Sequence, residues 1–442
     1  MNEQLMVRAE LDKLANTLGV SVQEVGFLGD ISPADLRELR ERVTASLFSS
    51  GADALRALAK ASKLLPAGTV ASIAQRSFGP MLCARAAGFM DVSRAIDVAQ
   101  KLPVPFLAEL CIHLDPARAE AVIRAIPDQI ACEVADKLLA MREFITLGRF
   151  VGYVRETVIT AVIRSADPVA LLHVAFYVEA QERFDSIADA LSDDEIGSII
   201  RAAAGRADVV DSDLWVQALS LLDSVSADRQ RRLADIAVAQ PADVLDSMIT
   251  TVHAASMYDA LLPLVTIMSD ESKVRLAAIP ALHDSDRLHA IVQATAVHEM
   301  WTELLPLVEA VPESAKREVA LAASGLPKAA MVHAIVAARE SHQWPVLLTL
   351  AEYMPEPERA QLIALLADID LSIVESFVDA ALTTEVVERA LALLNQVGEP
   401  ELAPVVARIG TIEPESRSVF VARATELGVL DRLGIIGDAL RG

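Results

Sequence analysis

What the chain has little of narrows its class before any motif is sought. It holds three cysteines in 442 residues, Cys83, Cys111 and Cys132, far apart and without CxxC spacing. That excludes a disulfide framework and points to a reducing cytoplasm, where a free cysteine behaves as a small hydrophobe. Aromatic residues make up 4% of a chain that is 53% hydrophobic, so Ala, Leu and Val carry the apolar surface, as many short packed helices require. Long uncharged runs are also missing. Leu64-Leu-Pro-Ala-Gly-Thr-Val-Ala-Ser-Ile-Ala-Gln75 spans 12 residues before Arg76, against the roughly 18 to 20 that a membrane-crossing helix needs. The start, Met1-Asn-Glu-Gln-Leu-Met6, has neither a basic nor an apolar leader region, so no secretory signal peptide is expected.

Positive charge is scarce as well. The formal charge is −23, and residues 151–442 hold 22 Lys/Arg against 44 Asp/Glu. Such a surface repels phosphate backbones and has no cationic stripe for counterion release, which argues against nucleic acid as a partner. Solubility alone accounts for the acids; a basic partner or a cation is the sharper reading. Residues 51–100 are the exception, with 6 Lys/Arg and 3 Asp/Glu.

What is present is a period. Trp215, Tyr258, Trp301 and Trp344 follow one another at 43-residue intervals, and Val387 takes the next slot. Leu221, Leu264, Leu307, Leu350 and Leu393 keep the same register, as do Val225, Met268, Val311, Met354 and Val397 four residues later, one helix face apart. Ser226, Ser269, Pro312, Pro355 and Gly398 come next, residue types that end one helix and begin another. Two further apolar sets, Leu233 to Val405 and Ile249, Val292, Ile335, Val378 and Val421, fill out two or three helices per block. Short one-stripe helices of this kind stand only by stacking on their neighbours, so an all-α α-solenoid of about 43 residues per repeat is expected.

Looser copies lie upstream. Phe106-Leu-Ala-Glu-Leu-Cys-Ile-His-Leu-Asp-Pro116 runs into a second helix, then Ile126-Pro-Asp128 into a third. Residues 104–139 resemble two bacterial modules, the magnesium-transporter intracellular N domain and the flagellar motor switch protein middle domain, both of the armadillo type. The resemblance implies a right-handed armadillo/HEAT-like superhelix. It does not extend to activity, because Leu102-Pro-Val-Pro105 stands where the motor protein has its acidic-His-Pro-Gln signature.

At the N-terminus, Ser32-Pro-Ala-Asp35 is a helix start, with Ser as cap and Pro in the first turn. Leu18 to Val25 has the cadence of a helix-turn-helix but carries no Lys or Arg, so DNA binding is not expected. The organisation read from these features is a helical cap over 1–50, an irregular, apolar and slightly basic helical segment over 51–103, and repeats over 104–442, strict from 215.

A search for chemistry returns little. There is no phosphate-binding glycine loop and no GxSxG; His298-Glu299 lacks the second histidine of a zinc helix, since residue 302 is Thr. Asp211-Ser-Asp213, Asp284-Ser-Asp286 and Asp368-Ile-Asp370 lack the glycine and closing Glu of a calcium loop. Five of eight histidines fall between His283 and His342. His298 with Trp301 and His342 with Trp344 could form a ridge for a partner peptide or a metal; inter-repeat packing is the plainer account of aromatics in a recurring slot. Leu64, Phe78, Met81 and Phe89 could line an apolar pocket for a small molecule or lipid. No enzyme, cofactor or metal is expected. The leading expectation is a cytoplasmic scaffold that binds another protein along its repeats, with self-association through the ends open; the alternative is the apolar pocket near 64–89.

Overall fold

A computed structural model describes residues 2–49, 51–205, 213–365, 384–412, 414–426 and 428–442. Among them the chain is all-α, helix following helix with no strand. Asp211, Asp368, Asp370 and Val378 lie outside the described residues. The chain divides into two compact units, Met1–Ile236 and Ala237–Gly442, a division that falls inside the stretch expected as one repeat array.

The first unit opens with a hairpin. Helices α1 (Asn2–Leu18) and α2 (Pro33–Ser49) pack on each other around Leu11, Leu14, Ala15, Val25 and Leu36. Helix α2 starts where its sequence places it: the Asp35 amide donates to the Ser32 hydroxyl at 3.2 Å, and that hydroxyl donates to the Asp35 carboxylate at 2.8 Å. This satisfies one of the amides a helix start leaves bare. Then come α3 (Ala52–Ser62), α4 (Ala67–Ile73), a π-helical turn at Ala74–Phe78, α5 (Gly79–Ala87) and α6 (Val92–Ala99). Each helix packs on its second neighbour: α3 on α5, α4 on α6, and α5 on Val104–His113. The same rule continues through Asp128–Ala140 to Glu156–Ser165. The three helices read from residues 104–139 are Val104–His113, Pro116–Ala125 and Asp128–Ala140, the second capped by the Asp115 carboxylate, which accepts from the Ala117 amide.

In the second unit the aromatic residues open helices, Tyr258–Ile267, Trp301–Ala310 and Trp344–Tyr353, each packed on the next. Tyr258, Trp301 and Trp344 are between 2% and 3% exposed. Two residues before each stands a left-handed residue, Ser256 (φ 53°), Glu299 (φ 58°) or His342 (φ 56°). The amide that follows donates five residues back, Met257 to Val252, Met300 to Thr295 and Gln343 to Ala338, at 2.8–3.0 Å. That bond closes the previous helix in a Schellman-type turn. Arg142 (φ 60°), ahead of Phe144, builds the same turn in the first unit, with Glu143 donating to Leu138 at 2.9 Å. Left-handed backbone costs an L-residue about 1–2 kcal/mol, so packing of the following helix, not local preference, holds these turns.

Candidate interaction surface

The expected site residues fall into two sets. Trp301 and Trp344 are buried, so neither indole is presented to a partner. Trp301, Leu305, Met331, Leu350 and Met354 surround an apolar cavity of about 20 Å³, the space of a water-sized sphere and far too small for a ligand. His298 and His342 are exposed, His342 on a left-handed turn. His333 pairs with Glu299 at 3.4 Å and His283 contacts the Ala277 carbonyl at 2.8 Å, so these histidines serve separate local contacts. Among the described residues, no group of three or more His, Cys, Asp or Glu could hold a metal ion.

Leu64, Phe78 and Met81 stand in solvent, Leu64 at 85% exposure and Met81 at 57%. Phe89 is half-buried, with the Arg56 guanidinium 5.4 Å from its ring centre. Three of the four residues expected to line a pocket thus face outward. The reason lies in which side chains α3 to α5 bury: apart from Leu55 these are small, namely Ala59, Ser62, Ala71, Ala74, Ala84 and Ala86. Small residues let the helices approach closely and leave the larger side chains outside. Among the described residues, only Val274, Val297 and Leu321 are exposed large apolar side chains beyond residue 82.

This surface is also electrostatically distinct. Residues 54–90 contain Arg56, Lys60, Lys63, Arg76 and Arg85 and no Asp or Glu, in a chain with 62 acids. Leu55, Ala59 and Ser62 form the buried face of α3; Arg56, Lys60 and Lys63 repeat at the same spacing on its outer face and lead into Leu64 and Leu65. The corner is held from behind, where the Arg94 guanidinium donates to the carbonyls of Ser62 and Leu65, while on the exposed side Lys63 pairs with Asp91.

A second feature had no sequence signal beyond an Glu10/Lys13 pair beside an apolar stripe. Glu10, Lys13 and Arg40 are between 3% and 4% exposed. Glu10 meets the Lys13 ammonium at 2.9 Å and the Arg40 guanidinium at 3.1 Å; Arg40 reaches Glu179 at 2.9 Å, and the Tyr177 hydroxyl donates to Asp12 at 2.9 Å. Burial raises the Glu10 carboxyl, but Lys13, Arg40 and Arg37 outweigh it and leave it below its ordinary value. Burial lowers the Lys13 ammonium in spite of Glu10 and Glu179. Segment 177–180 can lie this close because its other side rests on glycines. A Cβ on Gly148 would stand 2.6 Å from the Tyr177 carbonyl carbon, and one on Gly152 2.9 Å from the Ala180 methyl. The hairpin is thus clamped to a segment far along the chain.

No family model, curated protein or solved structure matches the chain. The reading of function therefore rests on its own chemistry. Burial pushes the Cys83 thiol up to about 11 and the Cys111 thiol to about 12, so both are neutral at physiological pH and poor nucleophiles. No helix among the described residues is long and apolar enough to cross a membrane.

Proposed function

We propose that the chain is a non-enzymatic cytoplasmic scaffold, a right-handed α-solenoid of armadillo/HEAT-like repeats whose stacked helices bind another protein. The observation that carries this reading is the recurrence in the second unit: a left-handed turn residue, two positions later a buried aromatic, and a helix that packs on the equivalent helix of the next block. The interval between those turns equals the 43-residue sequence period, and the handedness follows from the modules that residues 104–139 resemble. A stack of near-identical layers offers an extended surface instead of one concave site, so affinity is spread over several blocks. The raised thiols of Cys83 and Cys111 supply no activated nucleophile for a competing enzymatic reading.

Native purification from the source cells, with mass spectrometry of both proteins and extracted small molecules, tests this. A stoichiometric protein partner that remains bound when residues after 343 are removed, with reduced affinity, is the expected result. A stoichiometric small ligand with no protein would overturn it.

A further inference from the structure

We propose that the outer face of α3 and the corner that follows it seat the protein on an anionic lipid bilayer. The inference rests on residues 54–90 alone and is independent of what the repeats bind. Three observations carry it. The cations Arg56, Lys60 and Lys63 form one stripe on the exposed side of α3, and exposed Arg76 adds to it further along, with Arg85 half-buried beside it. The stripe ends at Leu64 and Leu65, both exposed, and Phe78 and Met81 are exposed next along the segment, in the π-helical turn and the first turn of α5. No acid lies within the segment; at its edges the exposed acids Asp53 and Asp91 pair with Arg56 and Lys63, so the excess positive charge rests on Lys60, Arg76 and Arg85.

Cations beside protruding leucines, phenylalanine and methionine are the composition of a surface that enters the headgroup layer, with apolar side chains among the acyl chains and ammonium and guanidinium groups at the phosphates. The corner is built outward: it is fixed by Arg94 from behind and presents Leu64 at 85% exposure. A bilayer accepts such a convex feature without a matching shape, whereas a bound peptide needs a groove. The acids elsewhere in the chain do not forbid the contact, since charges more than about 8 Å away are screened at physiological salt.

The test is cosedimentation of the full-length protein with vesicles of phosphatidylcholine, with and without one-third phosphatidylglycerol, at low and physiological salt. Binding is expected only to the anionic vesicles, weaker at higher salt. Leu64→Asp with Leu65→Asp, and separately Lys60→Glu with Arg76→Glu, are expected to lower partitioning about tenfold or more. Their helical content should not change, because these side chains stand in solvent. Absence of binding to anionic vesicles would overturn the proposal, as would binding indifferent to both pairs of substitutions. A concentration-dependent dimer abolished by the Leu64 and Leu65 changes, with vesicles ignored, would overturn it in favour of an interface between two copies.

Discussion

In the first unit, the contact that ties the N-terminal hairpin to residues 177–179 is made of charges: Glu10, Lys13, Arg40 and Glu179, with Asp12 and Tyr177 beside them. In the second, helix is tied to helix by Tyr258, Trp301, Trp344 and the aliphatic side chains around them. The two kinds of contact do different things. Apolar burial stabilises in proportion to area and is non-directional. A buried ion cluster adds little net stability, because desolvation offsets most of the attraction, yet it is satisfied in one arrangement only. The hairpin is therefore held in a unique position more than it is held strongly, while the aromatic layers supply strength without marking which layer is which.

Removal of a single group should produce the largest effects and separate the two cases. Trp301→Ala is expected to destabilise the second unit by about 3–5 kcal/mol, because the site cannot collapse around the lost indole. Arg40→Met should lower the first unit by a similar amount, about 3–5 kcal/mol, since buried Glu10 is left with Lys13 and the longer Arg37 contact, and half-buried Glu179 loses its close cation. The comparison is sharpened by replacing Glu10, Lys13, Arg40 and Glu179 together with apolar residues of similar volume. That variant should recover most of the Arg40→Met loss, while no second change rescues Trp301→Ala. Urea unfolding followed by circular dichroism, with proteolysis to report on the hairpin, distinguishes these outcomes; equal rescue in both units would break the contrast.

A smaller effect comes from acid. The Glu10 carboxyl is held below its ordinary 4.5, so its contribution is present above that value and is lost as pH falls below it. Asp12 has the opposite sign. Burial raises it above its ordinary 3.8 despite the Tyr177 hydroxyl, so its protonated form favours the folded state and partly offsets the loss. The hairpin should thus become exchange-labile below about pH 4.5 before the second unit does, as hydrogen exchange would register, and Glu10→Gln should flatten that dependence. The smallest effect concerns the turns. Glu299→Gly should stabilise the second unit by about 0.5–1 kcal/mol, strain relief at φ 58° exceeding the entropy glycine adds to the unfolded chain. A loss of stability on thermal unfolding would show that the Glu299 contact with His333 matters more than the strain.

The sequence announced what is local. Ser32-Pro33 and Asp115-Pro116 marked helix starts that the fold uses, and the aromatic residues marked the helices they open. It could not announce partners brought together by the path of the chain. Arg40 and Glu179 carry no spacing that relates them, and an i,i+3 pair such as Glu10 and Lys13 is an ordinary surface motif until a distant segment covers it. The apolar run from Leu64 misled for a related reason. Hydrophobicity says that a side chain favours leaving water, but not whether this chain itself provides the cover. In α3 to α5 the inside is mostly alanine, with Leu55 the one large side chain there, and Leu64, Phe78 and Met81 remain out.

The clamp on the hairpin also sets an order in time. Asp12 and Tyr177 are 165 positions apart. At about 5–20 residues added per second, α1 waits roughly 8 to 33 s after Asp12 is made before the segment that completes its ionic contacts exists, and α2 somewhat less. During that interval Glu10, Lys13 and Arg40 keep their water, and the hairpin is held together by its small apolar centre at Leu11, Leu14 and Leu36. The start of the polypeptide thus reaches its final place only after most of the first unit has been made.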